Sequence, residues 1–229
     1  MTSVVKCGDC LPDLTALPDN HFDLAIVDPP YGIDASNMKL GEGGGLYRAP
    51  KTYKRGDWDK EPPSPEYFRQ LFRVSRDQII WGANHFISRL PADRQDASCW
   101  VVWDKNNGET SFADVELAWT SFKQPARQVK FTWSGFIQGR MGDDKEDKIH
   151  PTQKPVYLYR WLINKFAVTK DGAITHRKIL DTHMGSQSSR IAAHLLGLDF
   201  HGWEIDRDYF DEGNKRYAQE TAQQSLFNF

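Results

Sequence analysis

Apolar residues recur along the chain in short runs of strand length, at 23–27 (DLAIV), 78–83 (QIIWGA), 99–104 (CWVVWD), 177–181 (RKILD) and 200–205 (FHGWEI). Several are apolar at consecutive rather than alternate positions, the pattern of strands covered on both faces in a parallel sheet. Helical spacing fills 64–75, 155–167, 187–197 and 207–221, and the third places Ile191, Ala192, Leu195 and Leu196 on one side. Strand alternating with helix predicts an α/β fold. Two long stretches, 32–62 and 134–153, keep neither period, and the first interleaves glycines and basic residues with tyrosines. Loops of that length in a compact domain are functional or disordered. No internal repeat is present.

With 229 residues, 39% of them hydrophobic, the chain can bury one substantial core. No apolar run approaches the ~18 residues of a membrane helix. The start MTSVVKCGDC lacks the charged-then-apolar layout of a secretory signal, so a cytoplasmic protein is expected. Three cysteines make no disulfide framework, and Cys7 and Cys10 have no second pair at ligand spacing; no metal is expected. A net charge of −2 gives no general attraction to nucleic acid. The sign is uneven, however. Residues 39–56 hold Lys39, Arg48, Lys51, Lys54 and Arg55 against Glu42 alone, and 120–140 hold Lys123, Arg127, Lys130 and Arg140 with no acid.

Candidate chemistry gathers at the ends of two predicted strands. Residues 179–206 read as strand, glycine-containing turn, helix and strand, with Asp181 ending the first strand and Gly185 in the turn. A helix opening near Ser188 offers free N–H groups. Glu204 closes the next strand 23 residues after Asp181, where dinucleotide-type folds place a carboxylate for ribose hydroxyls. One glycine is too few for a pyrophosphate loop, and acids at both strand ends would repel phosphate. A nucleoside cofactor without phosphate and with an ammonium group, as in S-adenosylmethionine, suits this turn.

Asp28-Pro29-Pro30-Tyr31, directly after the apolar run 24–27, resembles the catalytic motif of the DNA amino-methyltransferases, which methylate adenine N6 or cytosine N4. Asp181 to Ser189 resembles their cofactor loop, Glu204 the acidic end of their second strand, and HPTQKP (150–155) the segment before that loop. The catalytic motif comes first and the cofactor loop last, the order of the β group. The resemblance implies a doubly wound, mostly parallel seven-stranded sheet with permuted chain order, in one domain over 1–229. It divides that domain into a catalytic half (about 1–120), a short target-contacting insertion (about 120–150), a cofactor half (about 150–220) and a tail (221–229). It implies S-adenosylmethionine as cofactor, DNA as partner and a homodimer.

By the same resemblance, Asp28, Pro29, Pro30 and Tyr31 are catalytic. Asp9, Asp28, Thr152, Lys154, Asp181, His183, Gly185, Ser186, Gln187, Ser188 and Glu204 contact the cofactor. Asp28 and the Pro29 carbonyl would accept the two N–H bonds of an exocyclic amine and aim its lone pair at the methyl donor. The prolines fix the carbonyl, and Tyr31 stacks on the extruded base. Aspartate rather than serine before PPY favours adenine, with cytosine N4 the alternative. The family's loop reads Asp-Pro-Phe-x-Gly-x-Gly, whereas Thr182, His183 and Gln187 stand here. A Cβ at Gln187 is expected to narrow the cofactor's approach or alter the backbone, which keeps a DNA-binding remnant with weakened catalysis as a competing reading. Arg48, Lys51, Lys54, Arg127, Lys130 and Arg140 are the expected phosphate contacts. Gln223-Gln224-Ser225-Leu226-Phe227 resembles the peptide that docks replication and repair proteins on the bacterial sliding clamp, an idea that fails if a 220–229 peptide does not bind purified clamp. The expected setting is a restriction-modification system or a phage.

Overall fold

A computed structural model describes residues 1–34, 59–108, 113–134, 137–139, 146–169 and 171–225. Its centre is an eight-stranded sheet in the order β1-β10-β9-β2-β3-β5-β4-β6. The strands are β1 (Ser3–Cys7), β2 (Phe22–Val27), β3 (Ser75–Trp81), β4 (Trp100–Asp104), β5 (Val115–Thr120), β6 (Arg127–Lys130), β9 (Lys178–Asp181) and β10 (Asp199–Glu204). Only β5 runs against the others. A separate antiparallel pair joins β7 (Trp133–Ser134) to β8 (Ile137–Gln138).

The helices are α1 (Leu11–Ala16), α2 (Pro65–Val74), α3 (Val156–Phe166), α4 (Ser188–Leu195) and α5 (Arg207–Ser225). In α2, Pro65 starts the first turn, the Ser64 hydroxyl accepts from the Tyr67 N–H, and Tyr67, Phe68, Leu71 and Val74 form the buried face. That face joins Leu14 of α1 against Ala25 and Val27, while α3 and α4 pack on the opposite face with Leu24 and Ile26. Alternate side chains of β2 therefore feed two cores, which is why its sequence reads apolar without interruption.

The chain moves outward in opposite directions from the neighbours β9 and β2: β9 leads through α4 to β10, and β2 through α2 to β3. The two helices lie on opposite faces, so the crevice at the carboxyl ends of β9 and β2 is a topological switch point, where ligands of open α/β sheets bind. The eighth strand, beyond the seven expected, comes from polar sequence: in β6 only Val129 is buried, and pairing with β4 rather than apolar content makes it a strand. The stretch expected as an insertion from residue 120 thus begins inside the sheet.

Candidate active site

Five adjacent parallel strands deliver their carboxyl ends to one edge: β1 before Asp9, β10 at Glu204, β9 at Asp181, β2 before Asp28, and β3 at Trp81-Gly82. Registers Leu24 to Ile179 and Gly202 to Asp181 put the catalytic motif and the cofactor loop side by side. The Gly8 N–H donates to the Glu204 carbonyl at 2.8 Å, bringing Asp9, which is exposed, beside the same loop.

Asp28 Oδ1 accepts from the Tyr31 hydroxyl at 2.8 Å, and Oδ2 accepts from Lys154 Nζ at 2.6 Å. Burial raises the Asp28 pKa above the ordinary carboxylate value, and the Lys154 ammonium offsets part of that rise. Lys154 is itself buried and reaches Glu116 at 3.1 Å, which in turn meets Lys105 at 2.6 Å. Burial opposes the Glu116 charge, yet the two ammonium groups hold its pKa down at about 2. Burial likewise opposes the charge on Lys154, but Asp28 and Glu116 more than offset it and raise its pKa. Each Asp28 oxygen keeps one lone pair beyond the bond it already accepts.

Tyr31 is part of the wall. Its ring stacks on His85, with centroids 5.2 Å apart and planes at 16°. The Tyr31 and Gly32 N–H groups donate to Asp59 Oδ1 at 2.6 and 3.1 Å. Gly82 has a φ of +68°, and a Cβ there would lie 2.0 Å from the Tyr31 ring. Both the backbone conformation and the close approach demand glycine.

In the cofactor loop, Glu204 accepts from the Gly185 N–H at 2.8 Å and the Asp206 N–H at 2.9 Å, and burial raises its pKa. Asp181 is fully buried beneath the loop, where it accepts from Ser189 Oγ at 2.5 Å and the His183 N–H at 3.0 Å; burial pushes its pKa up to about 7. Its carboxyl braces the loop and reaches no open surface, a correction to the expected cofactor contact. Ser186 and Ser188 are also turned inward, where their hydroxyls meet at 3.1 Å. Arg216 of α5 donates to the Ser186 carbonyl at 3.0 Å and to Ser188 Oγ at 2.8 Å. Its second terminal nitrogen pairs with Glu146 at 2.7 Å, and its Nε with Glu220 at 2.8 Å.

The expected obstruction at Gln187 is absent. This residue adopts the left-handed conformation, φ 61°, that the family's glycine would supply, and the side chain is fully buried toward α5. It donates to the Phe210 carbonyl at 3.2 Å and to Asn214 at 3.3 Å, and accepts from Arg190 at 2.8 Å. Gly213 makes the space, since a Cβ there would lie 2.7 Å from Gln187. His183 sits edge-on to Tyr67 at 5.4 Å, and burial lowers its pKa to about 4, so it is neutral near pH 7.

Lys154 lies with Asp28, where two carboxylates offset the cost of its burial. Exposed Thr152 hydrogen-bonds His150 at 3.1 Å, and His150 would sit 3.7 Å from a Cβ on Gly185, so this segment does line the loop. Exposed Lys130 ends β6 near Asp104, at 3.6 Å. Arg127 begins that strand, level with Val101, away from the active edge. Arg48, Lys51, Lys54 and Arg140, and Leu226 and Phe227 of the tail peptide, lie outside the described residues. No group of three metal-binding side chains occurs among the described residues, where the cysteines are free thiols. No described helix is long and apolar enough to cross a membrane. Glu116, Lys105, Asp59, His85 and Arg216 escaped sequence reasoning. Their partners are distant in the chain, and no local spacing marks them.

The donor set fits a phosphate-free nucleoside cofactor: the Asp9 and Glu204 carboxylates at two neighbouring strand ends with a backbone loop beside them, while Arg190 and Arg216 are engaged inside the protein with Gln187, Ser186, Ser188 and Glu146. Doubly wound sheet and strand-end acids together define an α/β enzyme of the nucleoside-cofactor class. A family described as DNA methylase matches residues 93–215. The chain is 26% identical to the Type II methyltransferase M.HinfI of Haemophilus influenzae over 96% of its length and 69% of that protein. It resembles the crystal structure of the M1.HpyAVI–SAM complex with a TM-score of 0.56 and 22% identity, over 94% of this chain and 100% of that one. PvuII DNA methyltransferase, cytosine-N4-specific, matches with a TM-score of 0.56 and 14% identity, over 97% and 91% of the two chains. The chain belongs to the DNA methylase family of adenine-N6 and cytosine-N4 amino-methyltransferases, and is a DNA methyltransferase that uses S-adenosylmethionine.

Proposed function

We propose that this enzyme methylates the N6 amino group of adenine in DNA. The observation that carries the reading is Asp28, held at the end of β2 beside the cofactor loop with one lone pair left on each oxygen. Asp28 and the Pro29 carbonyl accept the two N–H bonds of an extruded base, so the nitrogen lone pair is aimed rather than created by prior deprotonation. Bound S-adenosylmethionine supplies an electrophilic methyl group on a positively charged sulfur. With that group bound, Asp28 would receive the amine proton as the methyl passes to nitrogen and the bonding pair leaves with sulfur. Tyr31, braced by His85, offers the base its face, and Lys154 keeps the carboxylate ionised until transfer. Glu204 and Asp9 hold the nucleoside, and the loop from His183 to Ser188 presents its backbone. The aspartate that opens the motif, where a serine is the family's alternative, supports adenine.

Incubation with tritiated cofactor and mixed-sequence DNA, followed by digestion to nucleosides, tests this. Label in N6-methyladenine, lost in Asp28→Ala, is the expected result. Label in N4-methylcytosine overturns the base assignment, and absence of label together with absence of cofactor binding by calorimetry favours the remnant.

A further inference from the structure

The catalytic carboxylate ends a chain of four linked side chains. Lys105 meets Glu116 at 2.6 Å, Glu116 meets Lys154 at 3.1 Å, and Lys154 meets Asp28 at 2.6 Å. Lys105 follows the end of β4, Glu116 lies at the start of β5, and Lys154 lies in the turn before α3; pairing of β4 with β5 brings Lys105 beside Glu116. Lys154 alone would neutralise Asp28. A second carboxylate is superfluous for that purpose, yet Glu116 is ion-paired on both sides. Two ammonium groups against two carboxylates leave the linked chain neutral.

The methyl donor explains the surplus. It carries a positive sulfur, which must lie within a methyl's reach of the amine that Asp28 holds, and therefore near the buried Lys154. Without the Glu116 charge, Lys105 and Lys154 would face Asp28 alone, and their net positive charge would repel the donor but not the product, whose sulfur is neutral while the rest of the molecule is unchanged. We infer that Glu116 and Lys105 are positioning residues that set the charge felt at the donor's sulfur, with Glu116 permitting a cationic donor to bind beside a buried lysine. The inference rests on the proposed role of Asp28 in the methyl transfer.

Calorimetric titration of the full chain with S-adenosylmethionine and with S-adenosylhomocysteine, at pH 6.5 so that the lysines remain charged, isolates this effect as the ratio of the two affinities. Glu116→Gln keeps the shape and an acceptor oxygen but removes one negative charge. It is expected to shift the ratio roughly tenfold against the charged donor, the size of a unit charge acting across a partly screened site. Lys105→Met removes a positive charge from the same chain and is expected to shift the ratio the other way. Loss of packing alone would weaken both ligands together and leave the ratio in place. Ratios equal to wild type, or moving in the same direction in both variants, overturn the inference; if Glu116→Gln does not fold, an unmoved ratio in Lys105→Met overturns it. Wild-type protein that binds both ligands and methylates adenine while the ratios stay fixed refutes this inference alone. Wild-type protein that binds neither refutes it together with the catalytic reading.

Discussion

Asp28 is useful only as a carboxylate, because a protonated acid would spend an acceptor site on its own hydrogen. Burial works against that charged form and Lys154 restores part of it, which gives a pH dependence of definite sign. Activity falls as pH drops through the Asp28 pKa, so the acid limb of kcat/KM should lie above the ordinary carboxylate position. Lys154→Met removes the charge that favours ionisation and should move this limb upward by roughly 1–3 pH units, with the loss recovered as pH rises. A pH profile of both proteins measures it, and an unmoved limb means that Lys154 does not tune Asp28. Local sequence made Asp28 legible, since an acid, two prolines and an aromatic ring after a buried strand have few other uses. Lys154 was visible only as a motif member, and its pairing was not, because 126 residues separate the partners. Glu116 was harder still: in VELAWT it is one polar residue among apolar ones.

The cofactor loop shows how a helix can absorb a departure in a turn. Gln187 occupies a left-handed position where a residue with a Cβ is strained, yet three hydrogen bonds to α4 and α5 hold it there. The room for its side chain exists because Gly213 interrupts α5. Glycine inside a helix costs about 1 kcal/mol relative to alanine, so replacing it would ordinarily stabilise. Here Gly213→Ala should instead destabilise by about 1–3 kcal/mol, as overpacking does. Adding Gln187→Gly should recover that loss, since the smaller loop residue vacates the space and suits the positive φ. Urea denaturation of the two single variants and the double variant measures the coupling, and strict additivity would show that the two sites do not interact. The compensation was illegible from the chain, where Gln187 looked like an obstruction and nothing marked Gly213 as its counterpart. The central strands were plain because both their faces are buried. β5 and β6 were not, since Val115 is exposed and β6 buries only Val129.

The chain as a whole carries a net charge of −2, so DNA must be drawn by local patches rather than by overall attraction. The fold separates the candidates in the second basic segment. Lys130 stands at the carboxyl end of β6, on the edge where Asp28, Asp181 and Glu204 gather, and Arg127 stands three residues back along the strand, about 10 Å away. A duplex presented to the active edge would meet the first and miss the second. Each phosphate contact steepens the fall of log K with log salt by about 0.9. Lys130→Ala should therefore flatten the slope by about one contact, and Arg127→Ala should leave it unchanged. The combined Arg48→Ala, Lys51→Ala and Lys54→Ala variant, taken from the basic segment the sequence singles out, should flatten it by about three. Fluorescence anisotropy across a salt series distinguishes these cases. Because phosphate contacts position the duplex without reading it, Lys130→Ala and the combined variant should weaken binding to all sequences alike. A flattened slope for Arg127→Ala would mean that DNA wraps down the edge of the sheet past β4, and that the surface engaged is larger than the strand ends alone.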